Sequence, residues 1–308
     1  MERRDLEFLS KDMRTRIHAV EWIPDQEVKA VLQICHGMIE HIARYDDFAR
    51  FLTSKGVLVT GHDHLGHGNS VSCDAEYGYF PEKNGNQCVI GDIHTLRTLT
   101  KKKYPDVPYF MLGHSMGSFL LRQYMTLHGE GLAGAIVMGT GHQPMAILTA
   151  GQAVCKSIGR MKGWKHRSKL VDDMAFGSYN KKFEPAKTSK DWLTSDEELL
   201  DMNLRDPRCN FMFTVGGYYQ MFEGMKAIAT PAAAGLVPKK LPVYFVAGKE
   251  DPVGEFGKSV QKIYQQFVDA GVLDVQIKLY ENDRHEILNE KDRAAVYEDM
   301  YAWIEARI

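Results

Sequence analysis

Residues 111–125 read MLGHSMGSFLLRQYM, and the fold follows from how that stretch divides. Met111 and Leu112 end an apolar run of strand length, while residues 117–125 space Phe119, Leu120 and Tyr124 as one face of a helix. Gly113-His114-Ser115-Met116-Gly117 sits on the junction. It fits G-x-S-x-G, in which a sharp strand-to-helix turn exposes a serine hydroxyl. Small residues two before and two after the serine suit such a turn, because neighbouring backbone approaches too closely for side chains. A serine between glycines is also what a plain turn or helix N-cap looks like, so the remainder of the chain has to decide.

Working outward, short apolar runs alternate with helical patterns. Residues 30–37 (AVLQICHG), 56–64 (GVLVTGHDH), 108–115 (PYFMLGHS) and 134–141 (GAIVMGTG) read as buried strands. Residues 45–54, 86–103 and 117–128 read as the helices between them. The alternation returns with a strand at 241–251, a helix at 258–269, a strand at 275–282 and a closing helix at 291–307. LEFLSKD and TRIHAVEWIP upstream predict a leading hairpin. Strands alternating with helices imply an α/β fold: a mostly parallel central sheet flanked by helices on both faces. Residues 143–240 break the rhythm and are too many for a structureless loop. They are rich in methionine and aromatic residues, among them Met174, Phe176, Met221, Phe222 and Met225, and predict a helical cap inserted between two parts of one core, 1–142 and 241–308.

Composition narrows the function classes. The chain has 308 residues, 44% of them hydrophobic and 25% charged, with a formal net charge of −2. That is ordinary for a globular protein and lacks the basic footprint of a nucleic-acid binder. Lys101-Lys102-Lys103 is the end of a helix, where positive charge is favourable. The five cysteines form no C-x-x-C pair and no framework, which suggests reduced thiols. No signal-peptide core and no apolar run of membrane-span length is present. These readings point to a cytoplasmic protein and leave peripheral contact with lipid, through the cap, open.

A serine hydroxyl needs a base, an orienter for that base and donors for the oxyanion it creates. When a G-x-S-x-G serine is followed by its partners, their order is acid and then histidine. Asp251 follows VYFVAGKE at a strand's carboxyl end, with Glu250 beside it as the alternative. His285 follows VQIKLYENDR past the next strand, and it is the only histidine downstream of His166. Asp283 and Arg284 then shape its turn. One oxyanion donor is the backbone N–H of Met116, the residue after the serine. The second belongs on the loop after an earlier strand, where CHGMIEH (35–41) offers the N–H of Met38.

GHDHLGHGNS (61–70) presents a rival chemistry. His62, Asp63, His64 and His67 are zinc-ligand types, and residues two apart on a strand share a face. Three glycines loosen the segment, and no H-E-x-x-H or C-x-x-C accompanies it. No metal and no cofactor is therefore expected.

Taken together, HGMIEH, HDHLGHGNS, GHSMG, GKEDPVG and RHEIL, in this order, resemble the monoacylglycerol lipase and lysophospholipase branch of the α/β-hydrolases, filed with serine aminopeptidase-type hydrolases. The resemblance runs from about Leu6 to the C-terminus and is weakest over the cap. It implies the α/β-hydrolase fold, Ser115 as nucleophile, Asp251 as orienting acid, His285 as base, and Met38 and Met116 as oxyanion donors. It also makes HDHLGHGNS a structural loop. The implied activity is hydrolysis of a small-molecule acyl ester or lipid: monoacylglycerol, lysophospholipid or a smaller ester. Met38-Ile39 stand where small residues are expected after His-Gly, which predicts a narrowed acyl entrance. Two other readings remain. An aminopeptidase-type serine peptidase would need an acidic clamp, for which Glu184, Asp196, Glu197, Glu198 and Asp201 are candidates. A non-catalytic binding module would have no use for the three residues together.

Overall fold

The computed structural model describes all 308 residues. β1 (Glu2–Leu9) and β2 (Arg16–Ile23) form an antiparallel hairpin. β3 (Ala30–Cys35), α1 (Asp46–Ser54), β4 (Val57–His62), α2 (Gly85–Lys103), β5 (Tyr109–His114), α3 (Met116–His128) and β6 (Gly134–Met138) follow. Then come α4 (Met145–Lys162), α5 (Lys169–Phe176), α6 (Glu197–Arg205), α7 (Val215–Ala227) and α8 (Pro231–Gly235). β7 (Val243–Gly248), α9 (Lys258–Asp269), β8 (Val275–Tyr280) and α10 (Arg293–Glu305) close the chain. The eight strands form one sheet in the order β1-β2-β4-β3-β5-β6-β7-β8. β2 runs antiparallel to both neighbours, and every pair from β4 to β8 is parallel. This is the α/β-hydrolase architecture.

The strand sequences explain the layers. In β5, Tyr109 and Met111 point to the face covered by α2, α3 and α9, while Phe110 and Leu112 point to the face covered by α1 and α10. Both faces are dry, so the strand is apolar throughout rather than alternating. Gln33 of β3 is the buried exception, and it donates to Ile93 O and accepts from Tyr109 Oη.

The expected elements are present with two kinds of difference. β1 begins at Glu2 rather than near Leu6, because an exposed edge strand carries polar residues and gives no apolar signal. The parallel strands stop before the ends their apolar runs suggested. Residues 36–37, 63–64, 115, 139–141 and 249–251 leave the sheet at its carboxyl edge. These are the residues from which the site is built, as expected for an open parallel sheet. Helices α4 to α8 lie between β6 and β7, in the stretch expected to be a cap, with α4 packed on α7. No helix is long and apolar enough to cross a membrane.

Candidate active site

Ser115 occupies the turn between β5 and α3 with φ +53° and ψ −118°, a conformation that costs a non-glycine residue energy and persists only where surroundings enforce it. Its N–H is held by Met138 O at 3.0 Å, and Ser118 Oγ donates to its carbonyl at 2.6 Å. A Cβ on Gly117 would lie 2.0 Å from Cys35 O. α3 therefore starts against the end of β3 only because that residue is glycine.

β7 and β8 deliver the other two predicted side chains. His285 Nδ1 lies 3.0 Å from Asp251 Oδ2, with both side chains buried. The approach is close but bent, outside the alignment of a full hydrogen bond, as is common in sites without substrate. Asp251 Oδ1 accepts from Val253 N–H at 2.8 Å, which fixes the carboxylate. The neighbouring Glu250 points away and pairs with Lys182. The structure thus brings Asp251, not Glu250, to His285. Trp192 lies against the imidazole, its ring centroid 5.1 Å away, and its carbonyl accepts from His285 N–H at 3.4 Å.

Met116 is the first residue of α3, so its N–H is among the donors that a helix leaves unpaired. Met38 N–H has no acceptor in the protein. Ile39, at φ +58°, is a second strained residue beside the site.

Two chambers meet here. One, of about 500 Å³, is the more polar of the two; Ser115 and His285 line it with Lys169, Asp173, Lys190 and Asn210, beside apolar side chains such as Leu193 and Phe211. The other, of about 150 Å³, is lined largely by apolar side chains, among them Phe119, Leu148, Met221, Phe222 and Val253. Ser115, Met38, Phe176 and Trp192 border both. The methionine and aromatic residues of the insertion divide accordingly. Met174, Phe176, Met221, Phe222 and Met225 face the apolar chamber, Phe211 and Met212 face the polar one, Phe213 and Tyr218 are core, and Met161 is exposed.

The histidines of residues 62–67 do not bring three ligand atoms within 4.8 Å of one another. His36, His62, His64 and His67 pack ring to ring in the interior. His64 N–H donates to His36 Nε2 at 3.0 Å, so the segment supports the loop that carries Met38. Burial pushes His62 and His67 down to about 3. The one set of three metal-ligating side chains whose ligand atoms lie within 4.8 Å of one another is His41, Asp206 and Cys209, and there Arg208 already grips Asp206 through two nitrogens.

Comparison with known proteins places this geometry. Residues 26–292 match the model of the family described as serine aminopeptidase, S33. The chain belongs to that family. Among its relatives, a monoacylglycerol lipase of Mycolicibacterium smegmatis is 25% identical over 283 residues, 92% of this chain and 90% of the relative. The mouse monoglyceride lipase is 40% identical over 96 residues, 31% of this chain and 30% of the relative. A thermostable carboxyl esterase from Bacillus coagulans, solved with glycerol, superposes with a TM-score of 0.93 at 31% identity, over 100% of this chain and 99% of the other. As an S33-family α/β-hydrolase, the chain keeps its acids of the expected peptidase clamp elsewhere. Asp196 caps α6, Glu197 pairs with Lys187, Asp201 pairs with Arg205, and none of these nor Glu184 or Glu198 lines either chamber. Sequence reasoning missed a different polar group, made of Glu40, Arg44, His114 and Glu286 beneath the site. Its signal was present in HGMIEHIAR and in the acid directly after His285.

Proposed function

We propose that this S33-family chain is a serine esterase that cleaves monoacyl esters of small neutral alcohols, monoacylglycerol above all, through an acyl-enzyme. The observation that carries the reading is the meeting at Ser115 of a largely apolar chamber and a wider one that mixes polar and charged side chains with apolar ones. An acyl ester is a molecule of that shape, with its apolar part on one side of the scissile carbonyl and its polar part on the other.

In this mechanism Ser115 Oγ attacks the carbonyl carbon and His285 takes the hydroxyl proton. The carbonyl oxygen becomes an oxyanion held by the N–H groups of Met38 and Met116. The intermediate collapses, the alcohol leaves with the proton from His285, and a water repeats the sequence to release the acid. Asp251 holds the imidazole in the tautomer that offers Nε2 to the serine. Residues 143–240 act as the cap over a core of 1–142 and 241–308. Ile147, Leu170 and Met174 stay exposed on α4 and α5, two of them at the edge of the apolar chamber, where a substrate held in a lipid aggregate would be taken up.

The cations of the polar chamber are already engaged, Lys169 with Asp173 and Lys190 with Asn203 Oδ1, Cys209 O and Asn210 Oδ1. A phosphorylated leaving group would have to compete with Asp173 for Lys169 and with three oxygen acceptors for Lys190, which favours glycerol over a lysophospholipid head group. The acids are engaged as well, since Asp172 accepts from Tyr218 Oη. A peptidase clamp for a substrate amine is therefore not preformed. The test is labelling by a fluorophosphonate probe together with specificity constants for monoacylglycerol and lysophosphatidylcholine of equal chain length. Labelling lost in Ser115→Ala and a preference for monoacylglycerol are expected. Labelling that survives in Ser115→Ala overturns the nucleophile, and a preference for the phospholipid overturns the leaving-group assignment.

A further inference from the structure

His114 lies between Gly113 and Ser115 and is buried, and both of its ring nitrogens face acceptors. Nδ1 is 3.0 Å from Glu40 Oε1, and Nε2 is 3.3 Å from the carbonyl oxygen of His285. A neutral imidazole has one N–H and one lone pair, so it can donate to only one of two acceptors. The other nitrogen would then set a lone pair against an oxygen lone pair in a buried site, where no water relieves the cost. Only the doubly protonated ring satisfies both.

The charge this requires is balanced on site. Glu40 Oε1 also accepts from Gly37 N–H and from Tyr45 Oη at 3.1 Å. Arg44 donates to Glu40 Oε2 at 3.0 Å and to the two oxygens of Glu286 at 2.7 Å each. Two carboxylates, one guanidinium and one imidazolium sum to zero, the condition under which buried charges are tolerated. Burial opposes charge on His114, but the hydrogen bond and field of Glu40 outweigh it and raise the imidazole. Burial likewise opposes ionisation of Glu40, yet His114 and Arg44 hold it well below the usual carboxylate range. The other titratable groups facing His114 are Glu286, His36, which burial keeps neutral, and His285, whose ring centroid is 4.7 Å away.

We propose that His114 is a charged positioning residue, an imidazolium in the working enzyme that ties together the three loops of the site. Through Glu40 it reaches Gly37, whose next residue offers the Met38 N–H. Through its own backbone it borders Ser115, and through Nε2 it holds the carbonyl of His285. Gly37 allows the closure, since a Cβ there would lie 2.6 Å from Glu40 Oε1 and 3.2 Å from the Ser115 Cβ. This role rests on the esterase reading of Ser115 and His285, but the protonation state of His114 does not.

The test separates the two. In the wild-type protein, nitrogen-15 NMR of labelled histidines at pH 8 should show a ring with protons on both nitrogens that is lost in His114→Gln, distinct from that of His18, whose ring nitrogens face Asp5 and Asp63. A ring carrying a single proton overturns the proposal whatever the enzyme does. Glu40→Gln removes the counter-charge. It should lower kcat by about 10- to 100-fold, the usual cost of losing a partner that orients a reacting group, with KM little changed. It should also move the alkaline fall of activity to lower pH, because His114 then loses its proton sooner. An unchanged alkaline limb in a folded Glu40→Gln overturns the positioning role. Should that variant fail to fold, the wild-type NMR signal still decides the charge. Fluorophosphonate labelling of Ser115, run alongside, reports separately on the esterase reading.

Discussion

Arg44 grips Glu286 through two guanidinium nitrogens at 2.7 Å each, and Glu286 is the residue directly after His285. The pair links the turn before α1 to the loop carrying His285, and Glu286 N–H is also held by Leu193 O at 2.7 Å. Removing the cation leaves two buried carboxylates, Glu40 and Glu286, facing each other with His114 alone between them. Arg44→Met should therefore cost about 3–5 kcal/mol, the scale for breaking a buried pair from one side. The double change Arg44→Met/Glu286→Leu should recover part of that, since the second uncompensated charge goes as well. Urea unfolding of the three proteins checks this, and a double variant no more stable than Arg44→Met would refute the accounting.

The base and its acid make a second pair to separate. Asp251→Asn keeps the shape of the side chain and its acceptor for Val253 N–H, but it no longer specifies the imidazole tautomer. Loss of roughly 10³- to 10⁴-fold in kcat is expected, as for other orienting acids. Glu250→Gln removes only a half-exposed bridge to Lys182, which is worth little, and should leave kcat nearly unchanged. The reverse ranking would return the acid to Glu250.

Acid should unfold this protein early. Burial lowers His62 and His67 to about 3 and holds His64 well below its ordinary value, so all three stay neutral in the folded state, while the unfolded chain binds protons below about pH 6.5. Their stabilising contribution is full above that value and is lost as pH falls. At pH 5 the loss is about 2 kcal/mol for each histidine by linkage, against a total stability of about 5–15 kcal/mol. Thermal melts should show a steep drop in Tm between pH 6.5 and 5. His67→Asn keeps a donor for Leu65 O and should flatten that slope. A Tm that is level from pH 7 to pH 5 would count against the buried neutral cluster.

The sheet and the placement of Ser115, Asp251 and His285 were legible because each of the three sits beyond the end of an apolar run, and runs buried on both faces are readable without knowledge of their neighbours. Position at the strand end favoured Asp251 over Glu250, but what separates the two was not legible. Adjacent residues at a strand end point in opposite directions, and only the packed loop shows which one turns inward. The chambers were hidden for a similar reason. Met221 and Met161 look alike in sequence, yet one lines the apolar chamber and the other is exposed, because that depends on which face of α4 or α7 meets the core. The quartet around His114 joins residues from positions 40 to 286, and pairings of that separation leave no local pattern.

If the apolar chamber takes the acyl group, as proposed, its size limits the chain length. Met38 borders both, in keeping with the narrowed entrance expected from its size, and the apolar chamber beyond it is small, about 150 Å³. Each buried methylene is worth about 0.8 kcal/mol, or about fourfold in specificity constant, until the chamber is full. Esters of glycerol or p-nitrophenol should therefore gain with each carbon through short and medium chains and then level or fall. Phe222 closes one wall, packed so tightly on α4 that a Cβ on Gly151 would lie 2.9 Å from its ring. Phe222→Ala opens that wall and should move the optimum to longer acyl chains while leaving the rate on acetate esters nearly unchanged. Aminoacyl anilides should remain poor substrates of both proteins, because an amide needs an amine held and protonated and the acids of the polar chamber are already paired. Specificity constants across a chain-length series decide the matter. An optimum that does not move in Phe222→Ala would place the acyl chain in the polar chamber instead, and anilides cleaved faster than esters would overturn the esterase reading in favour of a peptidase.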